Sequence, residues 1–356
     1  MTNPRRLMIF PCETGKGDGY SIAVAADVAR LTPGPEDVVI YRASHPAAPQ
    51  GPVRTIGTAT ALDKAWNILR GRPPYELSEG QLRKCLEGVD GGFEEIFSGE
   101  IFFYRALRRA FPSTQIYARS HNFYSLARCR QLLGHQASNF RHALNLHLYS
   151  KLEMELLADK KVTMIFITEE ELGFARLLSP LLRGECWPVI DPRITVSGEV
   201  HPPTAPRLVF FGSAAASHTA IGLEILSRTV FPQVRARVPL AEFHLFGHGT
   251  EKYHDPARGI LGHGRHPGDG LPFDGDGLFC VPDVHGCGIK LKIADLLKAG
   301  APFISTPLGL SGYSLSPHPH ILVRELDDWV DGIHGYFRSL GLAGTQERGH
   351  GPDGGA

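Results

Sequence analysis

Short apolar segments alternate with amphipathic segments along this chain, and this alternation constrains the fold more than any other feature. Residues 6–11 and 37–41 have the composition of buried strands, and a glycine-rich loop and a segment of helical period lie between them. The same order restarts at Arg207, where RLVFFGS combines a strand with a glycine turn. Strands that alternate with helices form parallel sheets covered on both faces. The sequence therefore predicts an α/β protein with two Rossmann-like domains.

A proline-rich segment separates the two repeats of this pattern. Residues 198–207, GEVHPPTAPR, contain three prolines and no periodicity, which is typical of a linker. We therefore expect an N-terminal domain over 1–200, a C-terminal domain over 207–342 and a disordered tail over 343–356. Ligands of such folds bind at the carboxyl ends of the strands, so we expect the site in a cleft between the domains.

Composition excludes several classes of protein. The 37 basic and 37 acidic residues balance, so no overall positive field favours nucleic acid as a partner. The six cysteines show no CxxC spacing, which argues against a disulfide framework or a zinc knuckle and favours a reducing cytoplasm. No stretch of about 18 apolar residues occurs, so we expect a cytoplasmic protein that is at most peripheral on a membrane.

The segment HGCGIKLKIADLLKAGAP, residues 285–302, combines a glycine turn, two lysines and a predicted helix. Free N–H groups and the helix dipole already make a helix start positive, so extra cations there are unfavourable unless an anion binds. Lys290 and the preceding backbone N–H groups thus predict a phosphate site. Lys292 lies off that face and is expected to contact solvent or to support the site. The alternative is a solvated helix start after a glycine turn.

Residues 278–312, LFCVPDVHGCGIKLKIADLLKAGAPFISTPLGLSG, resemble the signature of the GT-B retaining glycosyltransferases of group 1, family 4. The subgroup with Gly-x-Gly-Ile-Lys-x-Lys is the most similar. RLVFFGS resembles the first C-domain strand of that family, and AEFHLFGHG resembles the strand before its base-binding loop. In the N-terminal half, RSHNFYSLAR and FITEEE resemble shorter motifs of the subgroup.

The resemblance implies a GT-B fold with an acceptor-side N-terminal domain and a nucleotide-sugar-binding C-terminal domain. It assigns catalytic roles to Lys290, which would neutralise the leaving diphosphate, and to His121, which would face the donor sugar. Asp295 would bind the ribose hydroxyls. The residues expected to bind the donor are Gly17, Gly19, Gly212, Ser213, Gly286, Cys287, Gly288, Ile289 and Asp295. No cofactor and no metal are expected besides the nucleotide-sugar substrate.

The implied activity is transfer of a sugar from a nucleotide-diphosphate donor to a saccharide or lipid-linked acceptor, with retention, in bacterial polysaccharide or glycoconjugate synthesis. Two departures keep alternatives open. Cys287 occupies the position of the first family acid, and residues 250–278 are too rich in glycine and proline for the helix usual there. The alternatives are a non-catalytic GT-B-like scaffold subunit and a nucleotide-sugar epimerase, which would need acids for proton transfer.

One stretch has an unusual charge pattern. Residues 101–150 contain seven arginines, interleaved with aromatic residues, and no aspartate or glutamate. Arg105, Arg108 and Arg109 lie within about one helical turn, so at least two of them share a face. This pattern predicts contact with an anionic membrane surface or a lipid diphosphate acceptor. The alternative is a solvated basic helix face.

Overall fold

The computed structural model describes residues 5–12, 19–43, 53–133, 140–191, 194, 196, 200–214, 217–268 and 270–343. The chain divides into two compact units. The first contains Met1–Pro192 and His285–Ile289, and the second contains Arg193–Val284 and Lys290–Ala356. Apart from Ala343, the predicted tail lies outside the described residues, and so does Gly17.

A parallel sheet of seven strands, in the order β3-β2-β1-β4-β5-β6-β7, forms the centre of the first unit. Successive residues of the interior strand Arg6–Phe10 point to opposite faces: Leu7 and Ile9 belong to one apolar cluster, and Met8 and Phe10 to another. Both faces are therefore covered, as a parallel sheet requires. The strands are β1 (Arg6–Phe10), β2 (Val38–Ala43), β3 (Val53–Gly57), β4 (Glu95–Ser98), β5 (Gln115–Ser120), β6 (Val162–Phe166) and β7 (Gly184–Cys186). The helices are α1 (Gly19–Leu31), α2 (Ala61–Leu69), α3 (Glu79–Cys85), α4 (Tyr104–Ala110), α5 (Tyr124–Leu133), α6 (Phe140–Ala158) and α7 (Glu169–Leu178).

The second unit repeats this plan with six parallel strands in the order β10-β9-β8-β11-β12-β13. Leu208 and Phe210 pack on one face of its central strand, and Val209 packs on the other. The strands are β8 (Arg207–Phe211), β9 (Glu242–Phe246), β10 (Ile260–Gly264), β11 (Leu278–Val281), β12 (Phe303–Ser305) and β13 (Ile321–Val323). The helices are α8 (Ser217–Ile225), α9 (Phe231–Arg237), α10 (Leu291–Ala299) and α11 (Trp329–Ser339). The prediction of an α/β protein with two Rossmann-like sheets is confirmed.

The structure of residues 250–278 agrees with the expectation that a segment so rich in glycine and proline does not hold the usual helix. Its described residues form three short 3-10 turns, Glu251–Tyr253, Pro256–Arg258 and Pro272–Gly275, together with β10, and no α-helix. The helix usual in the resembled family is therefore absent from the described part of this segment.

Arg105, Arg108 and Arg109 do not form the free basic surface that the sequence predicted. Arg105 is buried and bridges two glutamates, with nitrogen–oxygen distances of 2.7 Å to Glu76 and 2.6 Å to Glu155. The other two also pair with acids: Arg108 with Asp159 at 2.7 Å, and Arg109 with Glu79. All four acids lie outside residues 101–150, so the stretch is free of acids in sequence but not in space. The contact with an anionic membrane that was based on these three side chains loses its physical basis.

Among the residues that the structure describes, no helix combines the length and apolar character needed to cross a bilayer.

Candidate active site

Two glycine turns at the carboxyl ends of β8 and β9 lie in backbone contact. Gly212 donates its N–H to the carbonyl of Phe246 at 2.9 Å. A Cβ atom on Gly247, whose φ is +128°, would lie 1.8 Å from the carbonyl oxygen of Gly212. Both the dihedral angle and the contact exclude a side chain at this position. The turns therefore form a flat backbone wall beside the ends of these strands.

This wall borders a cavity of about 560 Å³ that lies entirely within the second unit. Phe211, Phe246 and Leu271 supply apolar surface, and Asp295 and Lys298 project from α10 three residues apart on one helix face. Gly212 and Asp295 were both predicted to bind the donor. They are far apart in sequence, and the structure brings them together at this cavity. The full lining is Phe211, Gly212, Phe246, Gly247, His266, Gly268, Gly270, Leu271, Pro272, Asp295, Lys298 and Ala299.

The cavity includes residues that the sequence analysis did not identify. Phe211 and Phe246 are each the last residue of a strand that ends in a glycine turn, and Lys298 follows Asp295 at helical spacing. The strand ends before glycine turns and the helical spacing were both visible in the sequence and could have identified these three residues. His266 follows β10, a strand that the sequence analysis did not assign.

The Asp295 carboxylate lies at the edge of the cavity and keeps access to solvent. The surrounding protein removes part of its hydration and raises the pKa of this carboxyl group, and the nearby Lys298 cation opposes that shift. A carboxylate in such a position is a strong hydrogen-bond acceptor.

Lys290 is half-buried immediately before α10 and has an extended backbone. A lysine ammonium has no acceptor and cannot cap the first N–H groups of α10, and the N–H of Ile293 already donates to the Lys290 carbonyl at 3.0 Å. The hydroxyl of Tyr313 donates to the Lys290 carbonyl at 2.9 Å and fixes the backbone there. The helix start therefore combines a positive dipole end with an ammonium group.

Lys292 has a different environment. Its ammonium lies 2.9 Å from a carboxylate oxygen of Asp283, whose side chain is completely buried. The lysine side chain is only 16% exposed and its ammonium lies over the ring of Phe210. The expectation that Lys292 contacts solvent is thus wrong, whereas a supporting role agrees with this ion pair. Asp283 was not identified from the sequence because nothing in the sequence pairs it with a lysine nine residues away.

The glycine-rich segment His285–Ile289 belongs to the first unit. Arg130 donates to the Gly286 carbonyl at 3.1 Å, and the same nitrogen lies 3.7 Å from the sulfur of Cys287, which is buried. A Cβ atom on Gly288, whose φ is +71°, would lie 3.1 Å from the His121 carbonyl oxygen. The segment is therefore held by specific contacts, and a guanidinium lies beside the Cys287 thiol.

His121 follows β5 directly and is buried. Its Nε2 lies 2.9 Å from the carbonyl oxygen of Gly99 and must donate to it, because a carbonyl only accepts. Burial, together with the charge of Arg119, lowers the pKa of His121 to about 3. The side chain is a neutral imidazole at physiological pH, which suits hydrogen bonding rather than proton donation.

Two buried glutamates hold the backbone that follows His121. Glu153 accepts from the N–H groups of Tyr124 at 2.6 Å and Ser125 at 3.1 Å, and Glu171 accepts from Phe123 at 3.0 Å. These carboxylates occupy the positive N-terminus of α5. Burial nevertheless raises the pKa of Glu153 to about 8. The pair fixes the loop that carries His121, a function that the sequence did not reveal because both acids lie on other helices.

The remaining predicted residues lie at strand ends or helix starts. Ser213 is exposed directly after Gly212, and Ile289 is half-buried before Lys290. Gly19 begins α1 in the first unit, whereas Gly212 belongs to the second. Within the described ranges, no group of three or more histidine, cysteine, aspartate or glutamate side chains is placed to hold a metal ion.

The neutral state of His121 predicts a pH dependence of stability. The unfolded chain binds a proton at this residue near pH 6.5, whereas the folded protein does so only near pH 3. The contribution of His121 to stability is therefore complete above pH 6.5 and is lost as the pH falls toward 3. Between about pH 7.5 and about pH 5.5 this residue should lower the free energy of unfolding by about 1.4 kcal/mol.

Urea unfolding of wild type and His121→Gln at these two pH values measures that contribution. The variant should lose about 1.4 kcal/mol less than wild type over the same interval. His334→Gln, at a half-buried position in the second unit, is a matched control. Equal pH sensitivity in wild type and His121→Gln would show that His121 is protonated in the folded state.

Comparison with known proteins identifies the fold. No family model and no curated protein matches the chain. Among solved structures it is similar to sucrose-phosphate synthase from Thermosynechococcus elongatus, with 12% identity, a TM-score of 0.63 and coverage of 95% of this chain and 91% of that one. WaaG, a glycosyltransferase involved in lipopolysaccharide biosynthesis, has 8% identity, a TM-score of 0.57 and coverage of 95% and 92%. A structure from E. coli, described as trehalose-6-phosphate bound with UDP-2-fluoro glucose, has 11% identity, a TM-score of 0.57 and coverage of 95% and 91%. These likenesses show that the chain has the GT-B fold that the sequence predicted, while its place in the lysine subgroup remains a prediction.

Proposed function

We propose that this protein is a glycosyltransferase that transfers a sugar from a nucleotide-diphosphate donor to a saccharide or lipid-linked acceptor, with retention. The observation that carries the proposal is the cavity of about 560 Å³ in the second unit. It combines apolar aromatic surface, a backbone wall and a carboxylate, which are the groups that a nucleoside needs.

In this proposal the apolar surface of Phe211, Phe246 and Leu271 binds the base, and Asp295 accepts hydrogen bonds from the ribose. The N–H groups of Gly212 and Gly247 already donate to carbonyls within the protein. These N–H groups are therefore not expected to bind phosphate. The two glycines instead contribute because they have no side chain, which lets the donor approach the backbone closely. The diphosphate would instead bind at Lys290 and the start of α10.

The reaction breaks the bond between the anomeric carbon of the sugar and the diphosphate oxygen, which leaves with the electron pair. Lys290 and the α10 amides would stabilise the negative charge that develops on this oxygen. The acceptor hydroxyl oxygen forms the new bond to the anomeric carbon, and its proton passes to the leaving diphosphate oxygen. His121 would orient the donor sugar as a neutral hydrogen-bonding group. We propose no metal and no cofactor, because the lysine and helix start supply the positive charge.

The structures that resemble this one include a sucrose-phosphate synthase and a glycosyltransferase involved in lipopolysaccharide biosynthesis. This range supports transfer to a saccharide or lipid-linked acceptor and a role in bacterial polysaccharide or glycoconjugate synthesis. We place the reaction in the cytoplasm, with peripheral membrane contact if the acceptor is lipid-linked. Arg105, Arg108 and Arg109 are expected to stay in their ion pairs in either case.

A panel of UDP-, GDP-, ADP- and dTDP-sugars tests the proposal. Incubation with saccharide acceptors should release one nucleoside diphosphate and yield a glycoside with the anomeric configuration of the donor. An isomerised nucleotide-sugar would instead indicate an epimerase. Donor binding without any turnover would indicate a scaffold subunit.

Asp295→Asn should weaken binding of the preferred nucleotide by about 1–3 kcal/mol, the range for hydrogen bonds that involve a charged group. Calorimetry with the nucleoside diphosphate measures this directly. Asp327→Asn removes one exposed carboxylate of the same unit outside the cavity and serves as a control. If both variants bind as wild type does, Asp295 does not contact the ribose.

A further inference from the structure

A second cavity, of about 380 Å³, lies within the first unit. The turn after α2, α4 and the middle of α6 form its walls. Its lining is mostly polar and consists of Arg70, Gly71, Arg72, Tyr104, Arg105, Arg108, Arg109, Lys151 and Glu155. None of these residues belongs to the candidate active site.

The cations of this cavity outnumber the acids that pair with them. Five arginines and one lysine line it. Four carboxylates form ion pairs with these cations: Glu76, Glu79, Glu155 and Asp159. Six cations against four carboxylates leave two positive charges in one concavity.

Two of the arginines are rigidly held. Arg105 donates to Glu76 through Nη1 and to Glu155 through both Nε and Nη2. Arg108 donates to Asp159 and to four backbone carbonyls. Every nitrogen of these two guanidinium groups donates within the protein, so the two side chains form a fixed wall of the cavity and are not the groups that contact a ligand. A wall that is already fixed needs no reorganisation when a ligand binds.

Two other cations have donors to offer. Arg70 and Lys151 are both exposed, and neither forms an ion pair within the part of the chain that the structure describes. Arg70 lies over the ring of Trp66 at 4.4 Å, which limits its motion. Gly71, with a φ of +66°, ends the turn after α2 and lets the backbone pass beside the cavity. Arginine and lysine together are the usual ligands of phosphate groups.

We propose that this cavity is a second anion site, separate from the donor site, which binds a phosphate-bearing group with two or more negative charges. Arg70 and Lys151 contact the phosphate and supply the two uncompensated charges, while the ion-paired Arg105 and Arg108 form the fixed wall. The volume suits a diphosphate or a phosphorylated sugar, because small-molecule sites occupy about 300–1,000 Å³. The charged lining favours an anion over an apolar ligand.

The phosphate could belong to a soluble molecule or to a lipid headgroup, and the neighbouring surface makes both sources testable. Leu62, Trp66 and Leu69 lie on one face of α2 and are 83%, 55% and 79% exposed. Because Arg70 contacts Trp66 and lines the cavity, this apolar face borders the proposed site. Exposed apolar residues beside cations are typical of surfaces that bind at a lipid interface.

Calorimetry with inorganic pyrophosphate at low ionic strength tests the soluble source, and co-sedimentation with vesicles of phosphatidylcholine and phosphatidylglycerol tests the lipid source. The test variant is Arg70→Gln with Lys151→Gln. Arg324→Gln with Arg338→Gln removes the same charge from exposed positions of the second unit and is the control. Lys290→Ala separates this site from pyrophosphate binding at the proposed donor site.

In at least one arm, binding should fall roughly tenfold or more in Arg70→Gln/Lys151→Gln and persist in both the control and Lys290→Ala. Loss with pyrophosphate identifies a soluble phosphate, and loss with vesicles identifies a headgroup. If neither arm distinguishes the test variant from the control, the second anion site does not exist. That result would leave the proposed donor site and the proposed transferase activity unaffected.

Discussion

Lys290→Ala should reduce turnover of the nucleotide-sugar by about 100-fold or more, because loss of one group that stabilises developing charge has this effect in other enzymes. The ammonium lies at the start of α10, where it and the helix dipole act on the same anion. Folding should change little, since the side chain is half-buried and does not cap the helix. Steady-state kinetics with the preferred donor measures the effect.

The pattern of the kinetic constants gives this prediction its specificity. A group that acts on the leaving charge lowers kcat and kcat/KM together, whereas a group that only binds the ground state raises KM. Lys290→Arg keeps the positive charge and should fall between wild type and the alanine variant. Turnover of Lys290→Ala at the wild-type level would remove Lys290 from the mechanism.

The order of strands, glycine turns and helices could be predicted from sequence because it depends on local periodicity. β1, β2, β8 and α10 were assigned for this reason. β4, in contrast, pairs with both β1 and β5 in the sheet but has only four residues. Only two of these four residues, Ile96 and Phe97, are apolar, so no apolar run or alternation identifies the strand in the sequence.

Parts of the site depend on pairs that local sequence cannot show. Glu153 holds the start of α5 from α6, and Asp283 pairs with Lys292 across the turn between β11 and α10. Arg105, Arg108 and Arg109 illustrate the same limit in the opposite direction. Their acids come from α3, α6 and neighbouring loops, so a charge count along the sequence did not show that folding neutralises these three cations.

Asp283 and Lys292 give the second large prediction. Lys292→Met should lower the free energy of unfolding by about 3–5 kcal/mol, because removing one partner of a buried ion pair leaves the other charge uncompensated. The Asp283 side chain is completely buried and the lysine nitrogen lies 2.9 Å from it. Methionine keeps much of the aliphatic length over Phe210, so the change tests charge rather than packing. Urea unfolding at neutral pH measures the loss.

The double variant Asp283→Asn/Lys292→Met tests whether the lost stability comes from the uncompensated charge of Asp283. Neutralising both members removes the uncompensated carboxylate, so the double variant should be more stable than Lys292→Met by about 1–3 kcal/mol. Lys290→Ala, two residues away, should show the reverse pattern, with near wild-type unfolding and lost turnover. Lys292→Met within about 1 kcal/mol of wild type would mean that other groups satisfy Asp283 and that the lysine is dispensable for folding. In that case its position near the start of α10 would have to be explained by the anion rather than by Asp283.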